Sequence, residues 1–196
     1  MPAVLCLVRH GAYALMDRAL GGRGDHALSD EGRAQAKRVA AALDGHGVAA
    51  VVSSPVWRAR ETAEIIAGRL GLPVRLDPAF AEIDYGDWTG RRFDELDGDP
   101  AWEAWNRFRG TAGVPGGETM LTVQARAMAG LVRLAAEYRD GEVVVVSHAD
   151  VIKAMLAHVL GTPLDLMGRM EIGAASLSRV VLYPRDARVV GINVPP

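Results

Sequence analysis

Residues 4–11, "VLCLVRHG", pass from an unbroken apolar stretch straight into an arginine, a histidine and a glycine. Val4 to Val8 have the composition of a strand buried on both faces. Arginine and imidazole side chains are costly to bury without partners. The run therefore either surfaces at Arg9 or presents a cation and an imidazole at a strand tip.

Similar apolar runs recur at residues 48–52 ("VAAVV") and 143–147 (with "VVVV"), and helical patterns lie between them. Ser29 is placed to cap a helix reaching about Leu43, before the turn at Gly45 to Gly47. A second helix is expected from about Trp57 to Leu70, stopped by Gly71 and Pro73. A third should begin near Glu118, with Leu121, Ala125, Met128, Leu131, Val132 and Ala135 on its apolar positions, and a fourth should follow His148 up to Gly161. Valine-rich stretches around 176–183 and 188–194 suit a hairpin turning over Pro184 to Ala187. Strands alternating with helices of this length predict an α/β fold, a three-layer sandwich whose mainly parallel central sheet is flanked by helices. Residues 84–117 interrupt the rhythm with Trp88, Trp102 and Trp105 among acidic residues and glycines. They are read as a partly helical, lid-like insertion in a single domain covering 1–196, and the tryptophans as local packing rather than a stacking platform.

The totals narrow the function classes. A chain of 196 residues can bury a sizeable core without disulfides or metal, and 49% apolar with 23% charged residues is ordinary for a globular protein. A net charge of −2 gives no reason to expect nucleic acid or an anionic membrane as partner. Cys6 is the only cysteine, which excludes an intramolecular disulfide and a cysteine-based zinc site and fits a small core residue. No stretch has the length of a membrane span and the first apolar run is too short for a signal peptide, so a cytoplasmic location is expected. Only Lys37 and Lys153 are lysines among 22 cationic residues, a bias that base composition explains better than anion binding. There is no GxxxxGK[ST] phosphate loop, no GxSxG elbow, and no histidine and carboxylate set at metal-ligand spacing; no metal or other cofactor is expected.

In open α/β sheets ligands bind beyond the carboxyl ends of the strands. Arg9 and His10 fall there after the first apolar run; Ser53, Ser54 and Arg58 after the second; Ser147 and His148 after the third. Two guanidinium groups with imidazoles suit a dianion, and phosphate best, because arginine pairs with its oxygens bidentately. One neutral imidazole would attack phosphorus while the arginines neutralise the equatorial oxygens. A departing alkoxide needs a proton, and "AEIDYGDW" offers Glu82, Asp84 and Asp87.

"LVRHG", "SSPVWRARETA", "EIDYGDWTG", "GGET" and "VSHADVIKAML", in this order over nearly the whole chain, resemble the histidine phosphatase superfamily, which includes the cofactor-dependent phosphoglycerate mutases. The resemblance implies a phosphoglycerate mutase-like fold and no metal. It implies His10 as the phosphorylated nucleophile with Arg9 beside it, Arg58 and His148 in the phosphate pocket, and Glu82 as proton donor. Gly21, Gly22 and Arg23, in the loop "GGRGDHALS" that also holds His26, become candidate substrate contacts, with Tyr85 another and Tyr13 and Trp88 at the pocket mouth. Departures from the usual pattern fall at Ala12, Tyr13, Met16, Ala149 and Asp150, in loops facing the organic part of the substrate. The chain is also short for the insertions of a mutase. The expected activity is thus a metal-independent phosphatase acting on a small phosphorylated metabolite, as a monomer or homodimer. The alternatives are mutase-type phosphoryl transfer and a phosphate-binding module without turnover, which would not need an acid. His46 in a glycine turn is expected at the surface, and His158 on the fourth helix at the surface or an interface.

Overall fold

The computed structural model describes residues 2–196, and its organising element is β1 (Ala3–Arg9). The strand side chains alternate between two cores. Leu5, Leu7, Val143 and Val145 join one apolar cluster, whereas Cys6, Val8, Val144 and Val146 join the other. This period of two, applied to strands apolar at every position, forces helices onto both faces of the sheet. On one face lie α1 (Asp30–Ala42) and α2 (Trp57–Leu70); on the other lie α5 (Met120–Glu137) and α6 (Ala149–Leu160). Truncating a fully buried side chain such as Leu7 to alanine should cost about 2–5 kcal/mol.

The sheet runs β3-β2-β4-β1-β5-β6 and completes the three-layer sandwich expected from the sequence. β2 (Val48–Ser53), β3 (Val74–Leu76) and β4 (Glu142–Ser147) pair in parallel, and β4 also pairs in parallel with β1. β5 (Leu177–Leu182) and β6 (Ala187–Val194) add the hairpin antiparallel at one edge. The register pairs Arg9 with Ser147, and Ser53 with Val146, so three strands end at one level of the sheet edge.

Helix limits follow local chemistry. Ser29 caps α1, its hydroxyl accepting from the Gly32 amide, and Gly71 and Gly161 close α2 and α6 in the left-handed conformation. α5 starts at Met120, past Glu118, because Thr119 supplies the cap while the Glu118 carboxylate is engaged by Arg23, Arg126 and the Asp84 amide. Residues 84–117 contain a 3₁₀ turn, Gly86–Trp88, and two short helices, α3 (Phe93–Leu96) and α4 (Pro100–Arg107). Trp88 and Trp105 are buried there in edge-on contact with each other.

Candidate active site

β1 delivers the first functional groups. After Arg9 the chain turns against the start of α1 at Gly11, whose missing Cβ would lie 2.5 Å from the Gly32 carbonyl oxygen. The Gly11 amide donates to Thr62 Oγ1 on α2 at 3.1 Å, so two helices fix the turn that carries His10. The ring itself is oriented by Nδ1, 2.8 Å from the Gly11 carbonyl oxygen. A carbonyl can only accept, so Nδ1 carries the proton and Nε2 the lone pair. Arg58 Nε donates to that Nε2 at 3.1 Å, which requires the same tautomer. Burial, then the charges of Arg58 and Arg9, hold His10 well below the ordinary imidazole range. His10 is a buried, neutral imidazole whose one lone pair, on Nε2, accepts from Arg58 Nε.

Arg58 sits in the first turn of α2, where the sequence alone allowed an ion pair with Glu61 three residues on. Glu61 instead accepts from Arg33 Nε and the Leu28 amide. The Arg58 guanidinium turns inward, with Nη2 3.2 Å from Glu82 Oε2, 3.2 Å from His148 Nδ1 and 2.8 Å from the Gly22 carbonyl oxygen. His148 occupies the cap position of α6, yet its side chain caps nothing. Its Nε2 lies 2.8 Å from Ser54 Oγ, leaving Nδ1 to accept from Arg58. Burial, then Arg58, keeps His148 neutral as well.

Glu82 is the one carboxylate of the "AEIDYGDW" trio that reaches these groups. Oε1 accepts from the Ile83 amide and Oε2 faces both Arg58 and His148. Desolvation raises it from its ordinary 4.5 to about 7, although Arg58 pulls the other way. Its backbone carbonyl is gripped by Arg23 Nε at 2.9 Å and Arg126 Nη2 at 3.2 Å. Asp84 is half-exposed beside Arg23, and Asp87 is exposed.

Two buried donors in this cluster have no acceptor, Arg9 Nε and Arg58 Nη1. Buried polar groups in folded proteins are overwhelmingly paired, so unpaired N–H groups on two arginines near the His10 ring are donors with the chemistry to take an anion. Beside them opens a cavity of about 360 Å³ bordered by Arg9, His10 and Glu82.

The far wall of that cavity matches the sequence-based expectation only in part. Gly21, Gly22, Tyr13 and Tyr85 border it as expected; Arg23 does not, its side chain being spent on Glu82 and Glu118. Trp88 is absent from the wall, while Trp102 and Trp105, read from sequence as packing alone, stack on each other and line it. Arg109, which no sequence motif marks, lines it too. Its guanidinium lies 3.4 Å over the Trp105 ring and donates to Asp150 Oδ2 at 2.8 Å, where the Tyr85 hydroxyl also donates at 3.2 Å. Burial pushes Asp150 up, but Arg109 outweighs it and keeps the carboxyl below its usual range. Nothing local in "WNRFRG" distinguishes Arg109 from its neighbours, because its partner lies on α6. His46 and His158 are exposed, and Cys6 is buried in the core with its thiol pushed up to about 12 by burial. Among the described residues no group of three His, Cys, Asp or Glu could hold a metal ion, and no helix is long and apolar enough to cross a membrane.

A family model described as the histidine phosphatase superfamily (branch 1) matches residues 5–195, and the chain belongs to that family. It is 36% identical over 194 residues to the "Bifunctional protein Rv2228c" of Mycobacterium tuberculosis, covering 96% of this chain but 53% of that one; the chain spans about half of that relative. It is 31% identical over 179 residues to a "Probable phosphoglycerate mutase GpmB" of Erwinia tasmaniensis, covering 89% of this chain and 82% of that one. Among solved structures it is similar to the mycobacterial glucosyl-3-phosphoglycerate phosphatase Rv2419c, with a TM-score of 0.89 at 29% identity, covering 99% of this chain and all of the other.

Proposed function

We infer that this protein is a phosphatase that hydrolyses a small phosphomonoester through a phosphohistidine at His10, without a metal ion. The observation that carries the reading is the pair of unpartnered buried donors, Arg9 Nε and Arg58 Nη1, flanking a neutral imidazole whose Nε2 holds a lone pair. In the first step His10 Nε2 would bond to phosphorus as the ester P–O bond breaks, while Arg9 and Arg58 balance the charge on the phosphoryl oxygens and His148 holds the Arg58 guanidinium. The leaving oxygen would take the proton of Glu82, which is half-protonated at about pH 7. In the second step Glu82, now a carboxylate, would take a proton from water as that water attacks phosphorus, releasing phosphate and returning neutral His10.

Mutase-type transfer would use the same first step and differ in the acceptor of the phosphoryl group, a second substrate hydroxyl in place of water. The GpmB likeness keeps that reading in view, while the phosphatase named among the structural neighbours supports the hydrolytic one. The deciding test is phosphate release from a panel of metabolite monoesters in EDTA, with vanadate as competitor. Hydrolysis unaffected by the chelator is expected. Chelation that abolishes activity, with restoration by Mg²⁺ or Zn²⁺, would overturn metal independence.

A further inference from the structure

We propose that Tyr13 is a positioning residue of the phosphoryl pocket, holding the Arg58 guanidinium through the face of its ring; the inference rests on the phosphatase reading above. The Arg58 guanidinium carbon lies over the Tyr13 ring, 5.0 Å from its centroid. Tyr13 also meets His10 edge-on, with ring centroids 5.6 Å apart. Arg58 already spends Nε on His10 and Nη2 on Gly22, Glu82 and His148, leaving Nη1 as its free donor. An aromatic face attracts a guanidinium by its quadrupole and uses no N–H. Tyr13 can therefore fix Arg58 from the cavity side without consuming the hydrogen that a phosphoryl oxygen needs. A carboxylate there would take it.

Tyr13 is itself held from behind. Its ring stacks on His26 at 5.7 Å and 19°. A Cβ on Gly21 would lie 2.5 Å from the Tyr13 hydroxyl oxygen, so the 21–22 loop packs closely on the phenol at a residue without a side chain. That loop returns the Gly22 carbonyl to Arg58. One side chain thus braces Arg58 directly and through the loop that grips it.

The test compares Tyr13→Phe, Tyr13→Leu and Tyr13→Met by orthovanadate affinity, by kcat/KM on an alkyl and an aryl phosphate, and by thermal midpoint. Tyr13→Phe, which keeps the ring, should stay within about threefold of wild type on every measure. The two aliphatic variants should lose about 10- to 30-fold in vanadate affinity and equally on both esters, at a midpoint close to wild type. Equal vanadate affinity in wild type and the aliphatic variants would overturn the role, as would a Tyr13→Phe loss matching theirs. A wild type that binds no vanadate and releases no phosphate from any ester would instead overturn the phosphatase reading, and this inference with it.

Discussion

The two walls of the cavity are built differently. One is set by strand ends: Arg9 and His10 leave β1 and line the cavity, while Arg58 from the first turn after β2 and His148 after β4 are buried behind them. Backbone register places them; His10, Arg58 and His148 are almost wholly buried and hydrogen-bonded through Arg58, while Arg9 is half-buried and donates through Nη1 to the Ile172 carbonyl. The other wall comes from the irregular 84–117 segment and is joined to α6 side chain to side chain, through Arg109 and Tyr85 on Asp150. A wall fixed by the sheet can hold reacting groups to a fraction of an ångström. A wall fixed by a few side-chain contacts can differ between relatives without disturbing the fold. On this reading the first serves the shared phosphoryl chemistry and the second the organic part of the substrate.

The hardest test of the division is at the nucleophile. His10→Ala should lower phosphate release by about 10³-fold or more, since the two-step route disappears. Rapid quench with labelled substrate should trap an acid-labile, base-stable phosphoprotein from wild type alone. Near-wild-type turnover in the variant would break the assignment of chemistry to the strand-end wall.

The next comparison separates Arg58 in that wall from Glu82, the carboxylate it meets. Arg58→Ala should cost about 10²- to 10³-fold on alkyl and aryl phosphates alike, because it acts on the phosphoryl group both share. Glu82→Gln should cost about 10²-fold on an alkyl ester but under about 10-fold on p-nitrophenyl phosphate, whose leaving oxygen needs little protonation. With Glu82 at about 7, kcat/KM for the alkyl ester should fall as pH rises through that value, and the aryl ester should lack this limb. Stability carries the same sign. The folded protein holds the Glu82 proton more tightly than the unfolded chain does, so stability should decline between its ordinary 4.5 and about 7, and Glu82→Gln should remove that decline. Equal losses on both esters would move the acid away from Glu82.

The smallest effects are expected at the other wall. Arg109→Ala leaves the Asp150 carboxylate buried without its cation and should destabilise the fold by about 1–3 kcal/mol in urea unfolding. Adding Asp150→Asn should recover part of that loss. Vanadate affinity should stay within about threefold in both variants, while KM for the true substrate rises. A large loss of vanadate affinity would show that the two walls are not separable.

Much of this site is legible in the sequence because sheet topology is. Apolar runs that end in polar residues mark strand carboxyl ends, and parallel strands put those ends on one edge. Arg9, His10, Arg58 and His148 could therefore be gathered from composition and order alone, and β1, β2, β4 and the hairpin lie within a residue or two of where periodicity put them. Glu82 needed the family resemblance, since Asp84 and Asp87 carry the same chemistry within five residues. Tertiary structure alone decided which carboxylate is desolvated, that Arg23 braces the Glu82 backbone instead of facing the cavity, and that Trp102, Trp105 and Arg109 form the far wall. The physical reason is range. Periodicity and caps report interactions within a turn or a strand, whereas Arg109 meets Asp150 forty-one residues away and Arg58 meets His148 ninety away. Burial, and the charge shifts that follow from it, belong to the packed whole and are written in no single segment.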